Sequence, residues 1–181
     1  MSGAFGLRHY GADQAAAVVD QLVAGYLAAH ADGSPFHTED RYRRQLQGHL
    51  RVPGWTLVTA EVGDVLVGYV YGFPLPPTTR WWDGIQGPVP DGFTREDGHR
   101  TFALSELLVH PDWQGRGVAR ALHGELLGSR SEERATLLAR PDNTVAQAAY
   151  RSWGYRKVAK LRPDWEHAPT FDVLVTGNLG G

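Results

Sequence analysis

The sequence predicts a mixed α/β fold, a central sheet covered by helices. Three observations predict it. Two alternating apolar runs, "WTLVTAEV" and "VLVGYVYGF", flank a Gly63-Asp64 turn and read as a hairpin. A continuous apolar run, Phe102 to Val109, is followed by a helical pattern and then by "RATLLAR", which makes a β-α-β unit. Two further runs, "YRKVAKL" and "TFDVLV", close the chain as strands.

The elements follow in order. Phe5 to Tyr10 reads as a first strand. Asp13 suits an N-cap for a helix reaching about His30, with Ala17, Leu22 and Tyr26 as core candidates. Asp32 to Pro35 ends it, and Thr38 with Arg41 to Leu50 suggests a second, more polar helix. After the hairpin the pattern breaks. From Pro74 to about Gly98 there are five prolines, four glycines, Trp81-Trp82 and Phe93, without periodicity. So long a segment inside a domain is usually functional or disordered, and the aromatic residues argue against disorder. Gly117 to about Ser129 is a helix with Val118, Leu122 and Leu126 on one face. Asn143 to Trp153 is another, with Val145, Ala149 and Trp153 as its core stripe. The whole, 1–181, reads as a single domain with a 74–98 insertion and a loose tail at 177–181.

Composition narrows the function. The chain has 42% hydrophobic and 21% charged residues and a formal charge of −2. A nucleic-acid partner bound through a broad basic surface is therefore not expected. There is no cysteine, so disulfides, thiolate metal sites and a cysteine nucleophile are excluded. None of the eight histidines forms a metal pair such as HExxH, and no metal is expected. No apolar run nears membrane-spanning length and no basic-then-apolar leader opens the chain, so no membrane partner and a cytoplasmic location are expected.

Chemistry concentrates at "HPDWQGRGVARALHGELL", His110 to Leu127. Gly115 and Gly117 lie between a buried strand and a helix. A helix N-terminus offers unpaired N–H groups and a positive dipole end, and glycines let an anion approach that backbone. Arg116 and Arg120 can add charge-assisted bonds. The same glycines also suit an ordinary strand-to-helix turn. A P-loop would need a Gly-Lys-Ser/Thr ending, which is missing, and a dinucleotide fingerprint would need glycine where Arg120 stands. The spacing Gln114-x-x-Gly117-x-Ala119 remains.

On these residues, and on the lead-in "LLVHPDW", the chain resembles the GCN5-related N-acetyltransferases (GNAT). A second segment resembles the same family: Asn143, Ala146, Tyr150, Gly154 and Tyr155 in "NTVAQAAYRSWGY". The likeness is good over about Phe102 to Leu161 and carries no motif in the N-terminal half. It implies a GNAT-like, mixed, mostly antiparallel sheet flanked by helices; the long 74–98 insertion between the third and fourth strands departs from the family's usual short link, so acceptor recognition does not carry over. It implies acetyl-CoA as co-substrate. Its pyrophosphate would rest on Gln114, Gly115, Arg116, Gly117, Val118, Ala119 and Arg120. Its pantetheine would meet the backbone of Leu107, Leu108 and Val109 and the side chain of Asn143. It also implies that Tyr150 protonates the departing thiolate. A phenol titrates near ~10 and so holds its proton at neutral pH. Seven residues at ~100° each leave Asn143 and Tyr150 within about 20° on one helical face, roughly 10 Å apart. Asn143 or Asp142 also suits an N-cap there, and Gly154 a C′ position.

Ser105-Glu106 interrupts "FALSELLV". A mid-strand carboxylate among apolar neighbours is costly unless it is paired or hydrated. Glu106 either lines a cleft, where it binds an amine or takes its proton, or pairs with an arginine of a neighbouring element. A β-bulge would reverse strand parity and leave Ser105 as the residue facing the substrate. Some relatives carry a catalytic glutamate five positions before Asn143, where this chain has Leu138. A water-mediated base, or none, therefore stays open. Trp81 and Trp82 read either as a wall of the acceptor site or as a homodimer contact. The expected activity is transfer of an acetyl group to a primary amine, on a small molecule or a protein, by direct attack in a ternary complex. A non-catalytic acyl-CoA-binding regulatory domain is the alternative.

Overall fold

The computed structural model describes residues 4–177. These residues contain eight strands and four α-helices: β1 (Gly6–Gly11), α1 (Val19–Ala29), α2 (Glu39–His49), β2 (Thr56–Val62), β3 (Val65–Pro74), β4 (Ile85–Gln86), β5 (Thr101–Val109), α3 (Val118–Leu127), β6 (Arg134–Ala139), α4 (Thr144–Ser152), β7 (Arg156–Leu161) and β8 (Phe171–Gly177). The strands hydrogen-bond in the order β1-β2-β3-β5-β6-β8-β7-β4. The ladder between β5 and β6 is parallel, and those of β1 with β2, β2 with β3, β6 with β8, β7 with β8 and β4 with β7 are antiparallel. The mixed sheet expected from the sequence is present.

The residues group into two compact units. One runs up to Phe73 and takes in Leu104–Arg130. It contains β1–β3, α1–α3 and most of β5. Its hairpin turns at Gly63, whose φ of 59° suits glycine. Tyr42, Leu46, Leu22, Leu57, Tyr69, Tyr71, Leu122 and Leu126 are among its large, fully buried side chains. Thr38 caps α2 by accepting from the Arg41 N–H at 3.3 Å. The start of α1 differs from the sequence reading. A 3-10 turn over Ala15–Ala17 precedes it, and Val18 stands at its N-cap. Asp13 does not cap it; Gln14 instead accepts from the Gly11 N–H at 2.9 Å. The changed phase buries Ala15 and Val18 and leaves Ala17 exposed.

The other unit comprises Pro74–Ala103 and the chain from Ser131 onward. Its buried residues include Phe102, Leu137, Leu161 and Val173. The Pro74–Gly98 segment is ordered by particular contacts. Ile85 and Gln86 form β4 against Leu161 and Lys160 of β7. Leu75 is tied at both backbone groups, its N–H to Thr101 and its carbonyl to Gly98. Glu96, with a fully buried side chain, pairs with Arg134 at 3.1 Å and accepts from the Thr101 hydroxyl at 2.5 Å. Arg134 also donates to Thr101 at 2.8 Å. Val145 corrects the expected stripe of α4: it is 80% exposed, and α4 buries no residue. Of the tail expected from 177, Gly177 closes β8 and the rest lies outside the described residues.

Candidate active site

Strand β5 carries the first part of the site. Its burial is continuous from Thr101 to Leu104, opens over Ser105, Glu106 and Leu107, and closes again at Leu108 and Val109. Ser105 Oγ lies 3.2 Å from His49 Nδ1, and the same nitrogen lies 3.0 Å from the Tyr71 hydroxyl. Glu106 acts electrostatically on Tyr71, Tyr69, Tyr42 and Tyr26. Ser105 reaches this layer through a hydrogen-bonding distance and Glu106 through its charge, which acts at a distance and does not require the two side chains to share a face of β5.

The tyrosines form a continuous polar and aromatic layer. Tyr42 and Tyr69 share a hydrogen bond at 2.6 Å, and Tyr69 donates on to the Leu22 carbonyl at 3.0 Å. Tyr26 stacks on Tyr42 with ring centres 3.9 Å apart. Burial, with the Glu106 charge added, pushes all of these phenols above their ordinary value. They remain neutral donors and acceptors. Burial likewise pulls His49 down to about 4, so it is neutral too.

Glu106 itself keeps some accessible surface and has no hydrogen bond or ion pair among the described residues. The arginine at the start of β6, Arg134, pairs with Glu96 instead. Desolvation pushes the Glu106 carboxyl up to about 8, against the pull of the Arg41 charge. A carboxyl held at about 8 is ionised in part at neutral pH, and its ionised form can take a proton from an ammonium.

The glycine turn lies in the same unit. A short 3-10 turn over Pro111–Trp113 follows β5, and Gln114 donates back to the Val109 carbonyl at 3.2 Å. Gly115 and Gly117 have φ of 73° and 81°. A Cβ built on either would meet no atom within 4 Å, so packing does not demand glycine here; backbone conformation does. Gly117 caps α3 without a side-chain hydrogen bond, and the first turn of α3 holds no acidic residue. An uncapped helix start over open space is a place for an anion. Arg116 and Arg120 are exposed, and Arg116 lies over the Trp113 ring at 4.8 Å.

In the second unit, Asn143 is the N-cap of α4 and accepts from the Ala146 N–H at 3.2 Å. The helix ends in a Schellman motif. The Tyr155 N–H reaches the Tyr150 carbonyl at 3.0 Å, the Gly154 N–H reaches the Arg151 carbonyl at 3.1 Å, and Gly154 has φ of 93°. The ring contact that accompanies such a motif is Tyr150 against Tyr155, at 5.7 Å; Trp153 meets Tyr150 edge-on at 5.6 Å. The C-cap therefore fixes the ring of Tyr150, which stays half-buried. Trp82 is buried against Phe93 at 5.2 Å, with the Arg134 guanidinium 5.4 Å from its ring, while Trp81 is half-buried. Leu138 is half-buried and apolar, so its position supplies no base.

Comparison with known proteins agrees with this layout. Residues 19–155 match the sequence model of the acetyltransferase (GNAT) family. The chain belongs to the GNAT family. It is 29% identical over 144 residues to a GCN5-like protein acetyltransferase of Mycobacterium tuberculosis, covering 62% of this chain and 69% of that one. It is 38% identical over 121 residues to an uncharacterized protein of Mycobacterium leprae, 65% of this chain but only 27% of that longer protein. Solved GNAT structures share its fold. A ribosomal-protein-alanine N-acetyltransferase from Brucella melitensis aligns over 95% of this chain and 99% of its own, with TM-score 0.64 and 18% identity. The PaiA N-acetyltransferase of Thermoplasma acidophilum, in complex with coenzyme A, aligns over 97% and 99%, with TM-score 0.60 and 8% identity. Among the described residues no helix is long and apolar enough to cross a membrane, and no group of three or more His, Asp or Glu side chains is placed to hold a metal ion.

The sequence reading missed the polar face of α2. Arg41, Gln45 and His49 recur every four residues, and His49 touches Ser105. The i, i+4, i+8 spacing was visible, but a polar stripe on a surface helix reads first as a solvated face.

Proposed function

We propose that this GNAT chain is an acetyl-CoA-dependent N-acetyltransferase acting on a primary amine in a ternary complex. The observation that carries the reading is Glu106, a carboxyl without a hydrogen-bonding partner among the described residues, on the strand that leads into an uncapped glycine cradle. At 3.3 Å per residue, Glu106 stands about 10 Å before Val109 along β5. The donor would place its pyrophosphate on the N–H groups of Gly115 to Ala119, flanked by Gln114, Arg116 and Arg120. Its pantetheine amides would pair with the backbone of Leu107 to Val109. Support for this comes from the β5–β6 ladder, whose pairs run only over Thr101 to Ala103 among the described residues. The resemblance of α4 to the family's second motif assigns Asn143 and Tyr150 to the same cofactor.

The reaction balances without a covalent enzyme intermediate. The incoming ammonium gives a proton to the Glu106 carboxylate. The free amine attacks the thioester carbonyl, the C–N bond forms and the C–S bond breaks. Tyr150 donates its proton to the leaving thiolate, and the second proton lost from the attacking nitrogen passes through solvent to the Tyr150 phenolate. Holding both substrates in register supplies much of the rate. The test is calorimetric binding of acetyl-CoA together with thiol release over a broad amine panel. Amine-dependent release supports the proposal. Tight binding with no release across the panel leaves a binding domain instead.

A further inference from the structure

We propose that Gln147 and Asp172 are positioning residues for the acetyl transfer: they fix α4 on the sheet, and through it the hydroxyl that Tyr150 offers to the leaving thiolate. This rests on the reading of Tyr150 as the acid and adds what holds that acid in place. All three residues lie in the second unit. The nine residues of α4 bury no side chain, so apolar packing alone does not set the turn of the helix about its own axis. Gln147 supplies a specific attachment. Its Nε2 donates to Asp172 Oδ2 on β8 at 3.2 Å and to the Arg140 carbonyl, just past β6, at 3.2 Å. Both partners are acceptors, so the nitrogen end of the amide faces them, and both of its hydrogens are used. Asp172 is buried, and its Oδ1 lies 2.9 Å from the Lys157 ammonium of β7. In the ladders Asp172 stands opposite Ala139 of β6 on one side and Lys160 of β7 on the other. A single buried carboxylate thus ties the helix to the middle of three paired strands.

Gln147 is placed to govern Tyr150. It stands between Asn143 and Tyr150 in the chain. At ~100° per residue the three fall within about 60° of the helix circumference, and Tyr150 stands about 4.5 Å beyond Gln147 along the axis. A helix with its side chains is about 5–6 Å in radius, so a turn of about 10° moves its outer atoms by about 1 Å. A misplacement of about 1 Å costs a reaction that depends on alignment up to about 10²-fold. The Schellman turn holds the Tyr150 ring against the end of its own helix, and Gln147 with Asp172 holds that helix against the sheet.

The experiment measures thiol release from acetyl-CoA and calorimetric acetyl-CoA affinity for the full chain as wild type, Gln147→Leu, Tyr150→Phe and the double variant. The amine is whichever of tyramine, spermidine and alanine amide the wild type acetylates fastest. Gln147→Leu is expected to lower kcat at least about tenfold and, because it acts through Tyr150, to lower it no further in Tyr150→Phe. Asp172→Asn keeps an oxygen for Gln147, and Lys157 is half-exposed, so this variant is expected to stay within about threefold of the wild type, while Asp172→Ala loses as much as Gln147→Leu. Equal fold losses in the two backgrounds, as a merely structural role would give, overturn the proposal. So does a loss confined to acetyl-CoA affinity, or an Asp172→Asn no better than Asp172→Ala. If Gln147→Leu does not fold, Gln147→Asn, one methylene shorter, replaces it with the same expected outcomes. Wild-type kcat in Tyr150→Phe overturns the acid role beneath, and no release with any of the three amines overturns the transferase reading; either result overturns the proposal too.

Discussion

Ser105 Oγ and His49 Nδ1 lie 3.2 Å apart, which joins the centre of β5 to the last residue of α2. The same imidazole nitrogen lies 3.0 Å from Tyr71. His49→Leu leaves a hydroxyl on each side without this partner and should cost about 1–3 kcal/mol of stability. It should also raise KM for the acceptor more than KM for acetyl-CoA. Denaturant unfolding and steady-state kinetics check the two parts. A selective rise in KM for acetyl-CoA would contradict the placement of the acceptor.

Acid should destabilise the protein through its buried histidines. Burial holds His49 and His123 at about 4 in the folded chain, against the ordinary 6.5. The unfolded chain therefore binds more protons between those values. The stability contributed is full above about pH 6.5 and is lost as pH falls toward 4. Melting temperatures at pH 7 and pH 4.5 should differ less in a His49→Gln, His123→Gln double variant than in the wild type.

The pH–rate profile should report Glu106. With its carboxyl pushed up to about 8, the ionised base becomes available only as pH rises through that value. kcat/KM should climb up to about pH 8 and then level. Glu106→Gln should lose about 10²- to 10⁴-fold in activity together with that limb. The folded carboxyl holds its proton more tightly than the unfolded one. Its stabilising contribution is therefore present at acid pH and lost as pH rises through 8, so Glu106→Gln should gain stability over the wild type at pH 9 and not at pH 4.

Gly117→Ala separates binding from folding. Its φ of 81° makes alanine strained by about 1–2 kcal/mol, while the added methyl meets nothing in the protein. The methyl does enter the space assigned to the pyrophosphate. Acetyl-CoA affinity should fall at least about tenfold, more than the loss of backbone approach alone would cost an ordinary turn. Calorimetry with acetyl-CoA and thermal melting of the same variant decide it.

Glu96 should prove structural. Its side chain is fully buried against Arg134 and Thr101. Glu96→Ala strands a buried guanidinium and should cost about 3–5 kcal/mol. The Pro74–Gly98 segment should then become sensitive to limited proteolysis.

Why some of this was legible in the chain, and some not, has physical reasons. The glycine turn was readable because Gly115 and Gly117 answer a backbone demand, and such demands leave few residue choices. The cap at Asn143 and the C′ glycine at 154 were readable for the same reason. The hairpin was readable because one turn joins two alternating runs. The start of α1 was not, since three successive alanines tolerate 3-10 and α geometry alike and leave the phase of the helix open. Ile85-Gln86 is too short for any periodicity to mark it as a strand. The stripe at Val145 was misread because an apolar residue at helical spacing looks the same whether it is buried or left exposed. The approach of His49 and Tyr71 to Ser105 was not legible, because what covers a strand is set by tertiary packing and not by the strand's own residues.

The central claim is acetyl transfer with Tyr150 serving the leaving group, on a ring fixed by the Schellman turn at Gly154. It is tested most directly by amine-dependent thiol release from acetyl-CoA, measured in parallel on the wild type and Tyr150→Phe with acetyl-CoA affinity determined for both. The account predicts release by the wild type, kcat lower by about 10²- to 10⁴-fold in Tyr150→Phe, and similar affinities. Equal release by the two proteins would contradict the acid role, and acetyl-CoA binding without release by the wild type would contradict the enzyme itself.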